Sequence, residues 1–159
     1  QEYFVGRRHA VTTTSVRFAG ADRAQPAPGV LDAVGSADLL VICPSNPIVS
    51  IGPILAIPGV GDAVAARREA CVAVSPIIAG AALKGPADRL LTELGHESSV
   101  VGVARLYAPY AATLVIDEAD RPLAAAVEHA GMRPVVAPTV MRGAPESAAL
   151  ARVVMGVGG

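Results

Sequence analysis

Apolar and polar positions along this chain fall in blocks. Four short runs are apolar or nearly so: Leu39 to Cys43, Cys71 to Val74, Thr113 to Ile116, and Pro134 to Ala137. Runs of this length, rich in β-branched residues and bounded by Gly, Pro, Ser or Asp, read as strands buried on both faces. Stretches with helical spacing separate or follow them: Gly61 to Glu69, Ala87 to Glu93, Ser98 to Tyr110, Arg121 to Ala130, and Ala144 to Met155. Pro86 suits a first helical turn, and Gly95 and Gly131 suit helix ends. A shorter helix, Pro28 to Val34, precedes the first apolar run. Val11 to Phe18 alternates β-branched and polar residues and reads as one more strand. Gln1 to Arg8 is amphipathic, the tail of an earlier element. Strands alternating with helices predict a parallel sheet covered on both faces, in one α/β domain over residues 1–159. There is no internal repeat and no linker.

The stretch from Asp38 to Leu55 organises the rest. A buried strand stops at Pro44. A polar turn with Ser45, Asn46 and Ser50 follows, and Ile51-Gly52-Pro53 reads as a helix start. In open α/β sheets, ligands bind at the carboxyl ends of the strands. The first amides of a helix aim a partial positive charge at that turn, which suits phosphate. Two more loops emerge on the same edge, Ser75 to Gly85 and Asp117 to Asp120. The first two loops carry a single charge between them, Lys84, the only lysine of the chain. That composition fits an anion held by backbone amides and hydroxyls, assisted by one ammonium. Ser45, Asn46 and Ser50 are the candidate donors; Gly80 and Gly85 would let the backbone come close. The blander readings stand beside these. Ser-Asn-Pro is also ordinary turn chemistry, and a lysine before a helix is usually only solvated. Asp117, Glu118 and Asp120 suit Mg²⁺ chemically, but capping of the next helix is the favoured reading. His9, His96 and His129 form no constellation and read as surface or packing residues. Cys43 and Cys71 read as small core hydrophobes.

Composition narrows the function classes. Apolar residues make up 52% of the chain and charged residues 17%, which excludes disorder. Net charge is −1, which argues against a nucleic-acid or membrane surface. Aromatic residues are only 3%, with no Trp, so base-stacking platforms have little to be made from. Leu39 to Gly61 runs 23 residues without a charge, long enough to span a bilayer. Pro44, Pro47, Pro53 and Pro58 interrupt it and argue against a spanning helix. With no signal peptide in view, a reducing cytoplasm is the default compartment.

Specific residues go further than composition. Cys43-Pro44-Ser45-Asn46-Pro47-Ile48-Val49-Ser50-Ile51-Gly52-Pro53-Ile54-Leu55 resembles the 2-phospho-L-lactate transferase family of coenzyme F-420 biosynthesis. So do Gln1 to Val5, Val16 to Ala21, Val74 to Ile77, and Lys84 to Asp88, in the right order across nearly the whole chain. The resemblance implies a cytoplasmic transferase with a Rossmann-like core, a homodimer that uses Mg²⁺. It implies a GDP-linked three-carbon donor, lactyl or enolpyruvyl. The phosphorylated three-carbon unit passes to 7,8-didemethyl-8-hydroxy-5-deazariboflavin, a deazaflavin acceptor, and GMP leaves. A composition rich in Ala, Val and Arg and poor in Lys leans towards the actinobacterial, phosphoenolpyruvate transferase type. The family's glycine-rich phosphate loop and metal-binding aspartates have no counterpart in this chain. The resemblance therefore covers the carboxyl-terminal half of such an enzyme. No catalytic residue and no metal ligand is assigned here, and the fragment alone is expected to be inactive. Substrate and nucleotide contacts fall on Pro44, Ser45, Asn46, Pro47, Ser50, Gly52, Ser75, Gly80, Lys84 and Gly85.

Two other readings compete. A related Rossmann-like family of regulators that bind nucleotide-sugars without turnover has a similar Ser-containing loop before a Pro-containing helix start. Pro44-Ser45-Asn46-Pro47 matches the transferase version better. A scaffold domain would leave the uncharged loop on the ligand edge unexplained.

Overall fold

The computed structural model describes residues 2, 6, 11–83 and 85–157. Among them, helix α1 (Val30–Ser36) leads into strand β1 (Leu40–Ile42). A π-helical turn, Pro47–Ile51, runs into α2 (Gly52–Leu55), and α3 (Val60–Ala66) returns to β2 (Cys71–Val74). A small hairpin, β3 (Ile77–Ile78) and β4 (Ala81–Ala82), precedes α4 (Ala87–Glu93) and α5 (Val100–Tyr107). Then come β5 (Thr113–Ile116), a 3₁₀ turn at Glu118–Leu123, α6 (Ala124–His129), β6 (Arg133–Val136) and α7 (Ala144–Val157).

The sheet order is β1-β2-β5-β6, parallel throughout, and the β3–β4 hairpin stands apart as its own antiparallel pair. Leu40 is level with Cys71, Val72 with Thr113, and Thr113 with Arg133. Period-two alternation sorts the side chains onto two faces. Cys71, Ala73, Leu114 and Ile116 point into a large core with Leu91 of α4, Val100, Val103 and Tyr107 of α5, and Val127 of α6. Val72, Val74 and Val115 point the other way, against Leu150 and Val154 of α7. This is an α/β, Rossmann-like arrangement of three layers. The crossover helices lie on one side of the sheet, and α7 supplies the helical cover of the other.

The predicted strand Val11–Phe18 does not form. Residues 12–18 take no regular structure. Their alternation serves as anchorage: Thr13 N–H donates to Glu93 Oε2 at 2.7 Å, and Phe18 lies against Gly52, where a Cβ would come within 2.9 Å of its ring. The amphipathic reading of Gln1 to Arg8 falls almost wholly outside the described residues. No single helix among the described residues is long and apolar enough to cross a membrane. Pro47–Leu55 and Val60–Ala66 pass that test only together, and they meet at 95°.

Candidate functional site

A cleft of about 420 Å³ opens at the carboxyl edge of the sheet. The loop after β1 contributes Pro44, Ser45, Asn46, Val49 and Ser50, and the turn after β2 contributes Ser75 and Pro76. The hairpin and its exit add Ile78, Leu83 and Gly85, and the segment after β6 adds Thr139 and Met141. The structure thus brings together six of the expected residues: Pro44, Ser45, Asn46, Ser50, Ser75 and Gly85. Pro47 is buried at the head of the π-helical turn and is not part of the lining. Gly52 packs under Phe18, and Gly80 sits at the hairpin tip; neither lines the cleft. Lys84 lies outside the described residues. Cys43, expected in the core, is exposed at the end of β1, because the strand ends one residue before it. Cys71 is buried as expected, and burial pushes its thiol up to about 11.

Asn46 is the best-defined group in the cleft. Its Oδ1 accepts from Ile48 N–H at 2.9 Å and from Val49 N–H at 3.1 Å, capping the helical run that starts at Pro47. Two donors on one carboxamide atom identify that atom as the oxygen, so the other is the NH₂. That Nδ2 is buried and has no partner among the described residues. The expectation of a phosphate cradle made from first-turn amides is corrected here. Asn46 itself occupies the Ile48 and Val49 amides. What the turn offers instead is one side-chain N–H donor and the hydroxyls of Ser45 and Ser50, for which no partner is found among the described residues. The helix also begins earlier than expected, at Pro47, with Pro53 already inside its second segment.

The opposite wall is the hairpin. Ser75 Oγ bonds both the N–H and the carbonyl of Ile77, fixing the exit from β2. Ala79 at φ 49° and Gly80 at φ 79° make the two-residue turn, a left-handed pair that suits tight hairpins. Asp120, 2% exposed, accepts the Ala79 N–H on both oxygens at 3.1 Å, and Ser98 Oγ donates to the Gly80 carbonyl at 3.0 Å. Burial raises the Asp120 carboxyl above its ordinary value, the Ala79 bond opposes this, and the charge of Asp117 adds to the rise.

Asp117 does what the capping reading expected, and more. Its Oδ1 accepts from Ala119 N–H at 3.1 Å, at the start of the 3₁₀ turn. Its Oδ2 accepts from both the N–H and the hydroxyl of Thr139, each at 2.9 Å. Burial pushes this carboxyl up, but the bonds from Thr139 and Ala119 outweigh it and hold it below its ordinary value. These carboxylates do not fit the Mg²⁺ that the resemblance implies. Both oxygens of Asp117 and of Asp120 already face backbone N–H groups, and no carboxylate is among the cleft-lining residues. Thr139 and Met141 had no motif to announce them. The only sequence signal was their place just after the fourth apolar run.

The family model described as 2-phospho-L-lactate transferase CofD matches residues 1–142. A phosphoenolpyruvate transferase of Kitasatospora aureofaciens is 43% identical over 156 residues, which are 98% of this chain and 49% of that protein. A 2-phospho-L-lactate transferase of Methanothermobacter thermautotrophicus is 39% identical over 155 residues, 98% of this chain and 49% of its own. A phosphoenolpyruvate transferase of Mycolicibacterium smegmatis is 44% identical over 117 residues, 74% of this chain and 36% of its own. The chain thus spans about half the length of the curated relatives that match nearly all of it.

Proposed function

The chain belongs to the 2-phospho-L-lactate transferase family, and from that premise we propose that it is the nucleotide-positioning part of a transferase of coenzyme F-420 biosynthesis. The donor is a GDP-linked three-carbon acid, enolpyruvyl or lactyl. The acceptor is 7,8-didemethyl-8-hydroxy-5-deazariboflavin. A hydroxyl oxygen of the acceptor attacks the phosphorus that carries the three-carbon unit. The bond from that phosphorus to the bridging oxygen breaks, GMP leaves with the electron pair, and the hydroxyl proton is released. Such a reaction needs little covalent help from the protein; it needs alignment and charge neutralisation. In this reading the chain's own residues supply alignment. Asn46 Nδ2, Ser45 and Ser50 hold the nucleotide portion, and Lys84, 34 residues after Ser50 in sequence, is the assisting cation. The carboxyl-terminal-half reading, Mg²⁺ use and a homodimer belong to the same proposal. No step is routed through the metal, because the carboxylates described here do not suit it.

One observation carries the reading: a buried carboxamide NH₂ without a partner among the described residues, on a residue of the cleft wall. A buried unpaired donor costs about 1–3 kcal/mol, and a bound acceptor atom relieves it. Calorimetric titration of GDP with Mg²⁺ into the full-length protein tests this, with Asn46→Ala beside the wild type. The expected result is saturable binding that weakens by about 1–3 kcal/mol in the variant. Absence of GDP binding by the intact wild-type protein would remove the transferase reading and favour a regulator or scaffold.

A further inference from the structure

Two fixed polar residues of the cleft lining, Asn46 and Thr139, have opposite hydrogen-bonding characters. Asn46, a cleft-lining residue, has spent its oxygen on Ile48 and Val49, so its carboxamide has only N–H left to give. Thr139, 5% exposed, is the mirror case. A hydroxyl has one hydrogen to donate and two lone pairs. The hydrogen goes to Asp117 Oδ2 at 2.9 Å, and the Thr139 N–H goes to the same oxygen. An ionised carboxylate can only accept, so the direction of that bond is settled. No other donor among the described residues reaches the hydroxyl. What Thr139 can offer a ligand is therefore lone pairs, backed by a negative charge.

Position separates the two groups as well. Asn46 follows β1 at one edge of the sheet and Thr139 follows β6 at the other, three strand spacings away. At the usual interval that is about 14 Å across the sheet. A single phosphate cannot serve both ends. An anion is disfavoured at the Thr139 end, where it would meet lone pairs and the Asp117 carboxylate. A neutral group with an O–H or N–H to give is favoured there.

We infer that Thr139 is a specificity-determining residue that accepts a hydrogen bond from a hydroxyl of the neutral substrate, with Asp117 as its positioning residue. This rests on the transferase reading above. In that reading the phosphate-bearing reactant takes the Asn46 end. The neutral, polyhydroxylated side chain of the acceptor takes the Thr139 end, and its ring lies towards the apolar side chains of Leu83 and Met141 on the rim.

The test is a binding cycle on the full-length protein, read by fluorescence titration. The two probes are the deazaflavin acceptor and the same ring with a methyl group in place of the ribityl chain. The three proteins are wild type, Thr139→Val and Thr139→Ser. Thr139→Val is expected to weaken the ribityl compound about 2- to 10-fold, a neutral hydrogen bond's worth, and to leave the methyl compound unchanged. Thr139→Ser is expected to keep wild-type affinity for both. Equal weakening of both probes would make Thr139 a purely structural residue and overturn the inference. So would an unchanged affinity for the ribityl compound in Thr139→Val. If wild type binds GDP but neither probe, the acceptor assignment falls and the Thr139 inference falls with it. A failure confined to Thr139 leaves that assignment standing.

Discussion

Asn46 does two separable things with one side chain, and a substitution can separate them. Its oxygen caps a helical run; its nitrogen is buried and has no partner among the described residues. Asn46→Asp keeps an oxygen for Ile48 and Val49 and replaces the donor by a second acceptor. Asp is also as good an N-cap as Asn, and its charge suits a helix amino terminus. Asn46→Asp is therefore expected to keep the cap and to lose roughly 1–3 kcal/mol only through its buried, partnerless second oxygen, while Asn46→Ala loses the cap, about 1 kcal/mol. GDP affinity is expected to fall more than about tenfold in Asn46→Asp, because an anion now faces an anion. Denaturant midpoints and calorimetry read the two effects independently. Retained GDP affinity in Asn46→Asp would take the nucleotide away from this side chain. None of this was legible in the sequence beyond the residue type. Ser-Asn-Pro supports both a turn and a site, and both turn out to be compatible: the turn bond uses the oxygen and leaves the nitrogen.

At the scale of elements, the hairpin wall stores a small backbone strain that can be measured. Ala79 at φ 49° is the only described residue other than glycine with a positive φ. A Cβ there costs roughly 1 kcal/mol. Ala79→Gly keeps the N–H that Asp120 accepts and removes the Cβ, so it is expected to stabilise the protein by about 0.5–1 kcal/mol. Gly80→Ala is expected to cost about 1 kcal/mol. Space is not the reason, since a Cβ at Gly80 meets only the Ser98 carbonyl at 3.6 Å; the backbone is. Urea unfolding of both variants checks the pair, and opposite signs are the signature. The same hairpin shows where sequence reading stops. Cys71–Val74 and Thr113–Ile116 were readable to the residue, because a parallel strand buried on both faces must be apolar throughout. Strands of two residues carry no period, so Ile77–Ile78 and Ala81–Ala82 read as loop. Val11–Phe18 erred in the other direction. Its alternation was real, but among the described residues no strand pairs with it, and single anchors at Thr13 and Phe18 hold it. Thr139 escaped notice because its role depends on Asp117, 22 residues earlier, which only the fold brings within 2.9 Å.

At the scale of the whole molecule, the cleft is chemically one-sided. Its described lining has hydroxyls, a carboxamide and apolar side chains, but no carboxylate and no histidine. Groups of that kind can orient a diphosphate and a polyol. They cannot neutralise the charge that develops on a phosphoryl group in transit, which in phosphoryl transfer is the larger part of catalysis. The nearby carboxylates, Asp117 and Asp120, are committed to holding Thr139 and the hairpin. The chain also spans about half the length of relatives such as the transferase of Kitasatospora aureofaciens. The charge chemistry is therefore expected from residues beyond the described lining. The consequence is an asymmetry between binding and turnover. A protein of these 159 residues alone, given the GDP-linked donor, the deazaflavin and Mg²⁺, is expected to release no GMP above an enzyme-free blank. The full-length protein is expected to release one GMP per acceptor consumed. Chromatographic quantification of GMP decides between them. Release by the 159-residue chain would mean that the hydroxyls, Asn46 and Lys84 suffice for catalysis, and that positioning contributes more of the rate than the charge argument allows.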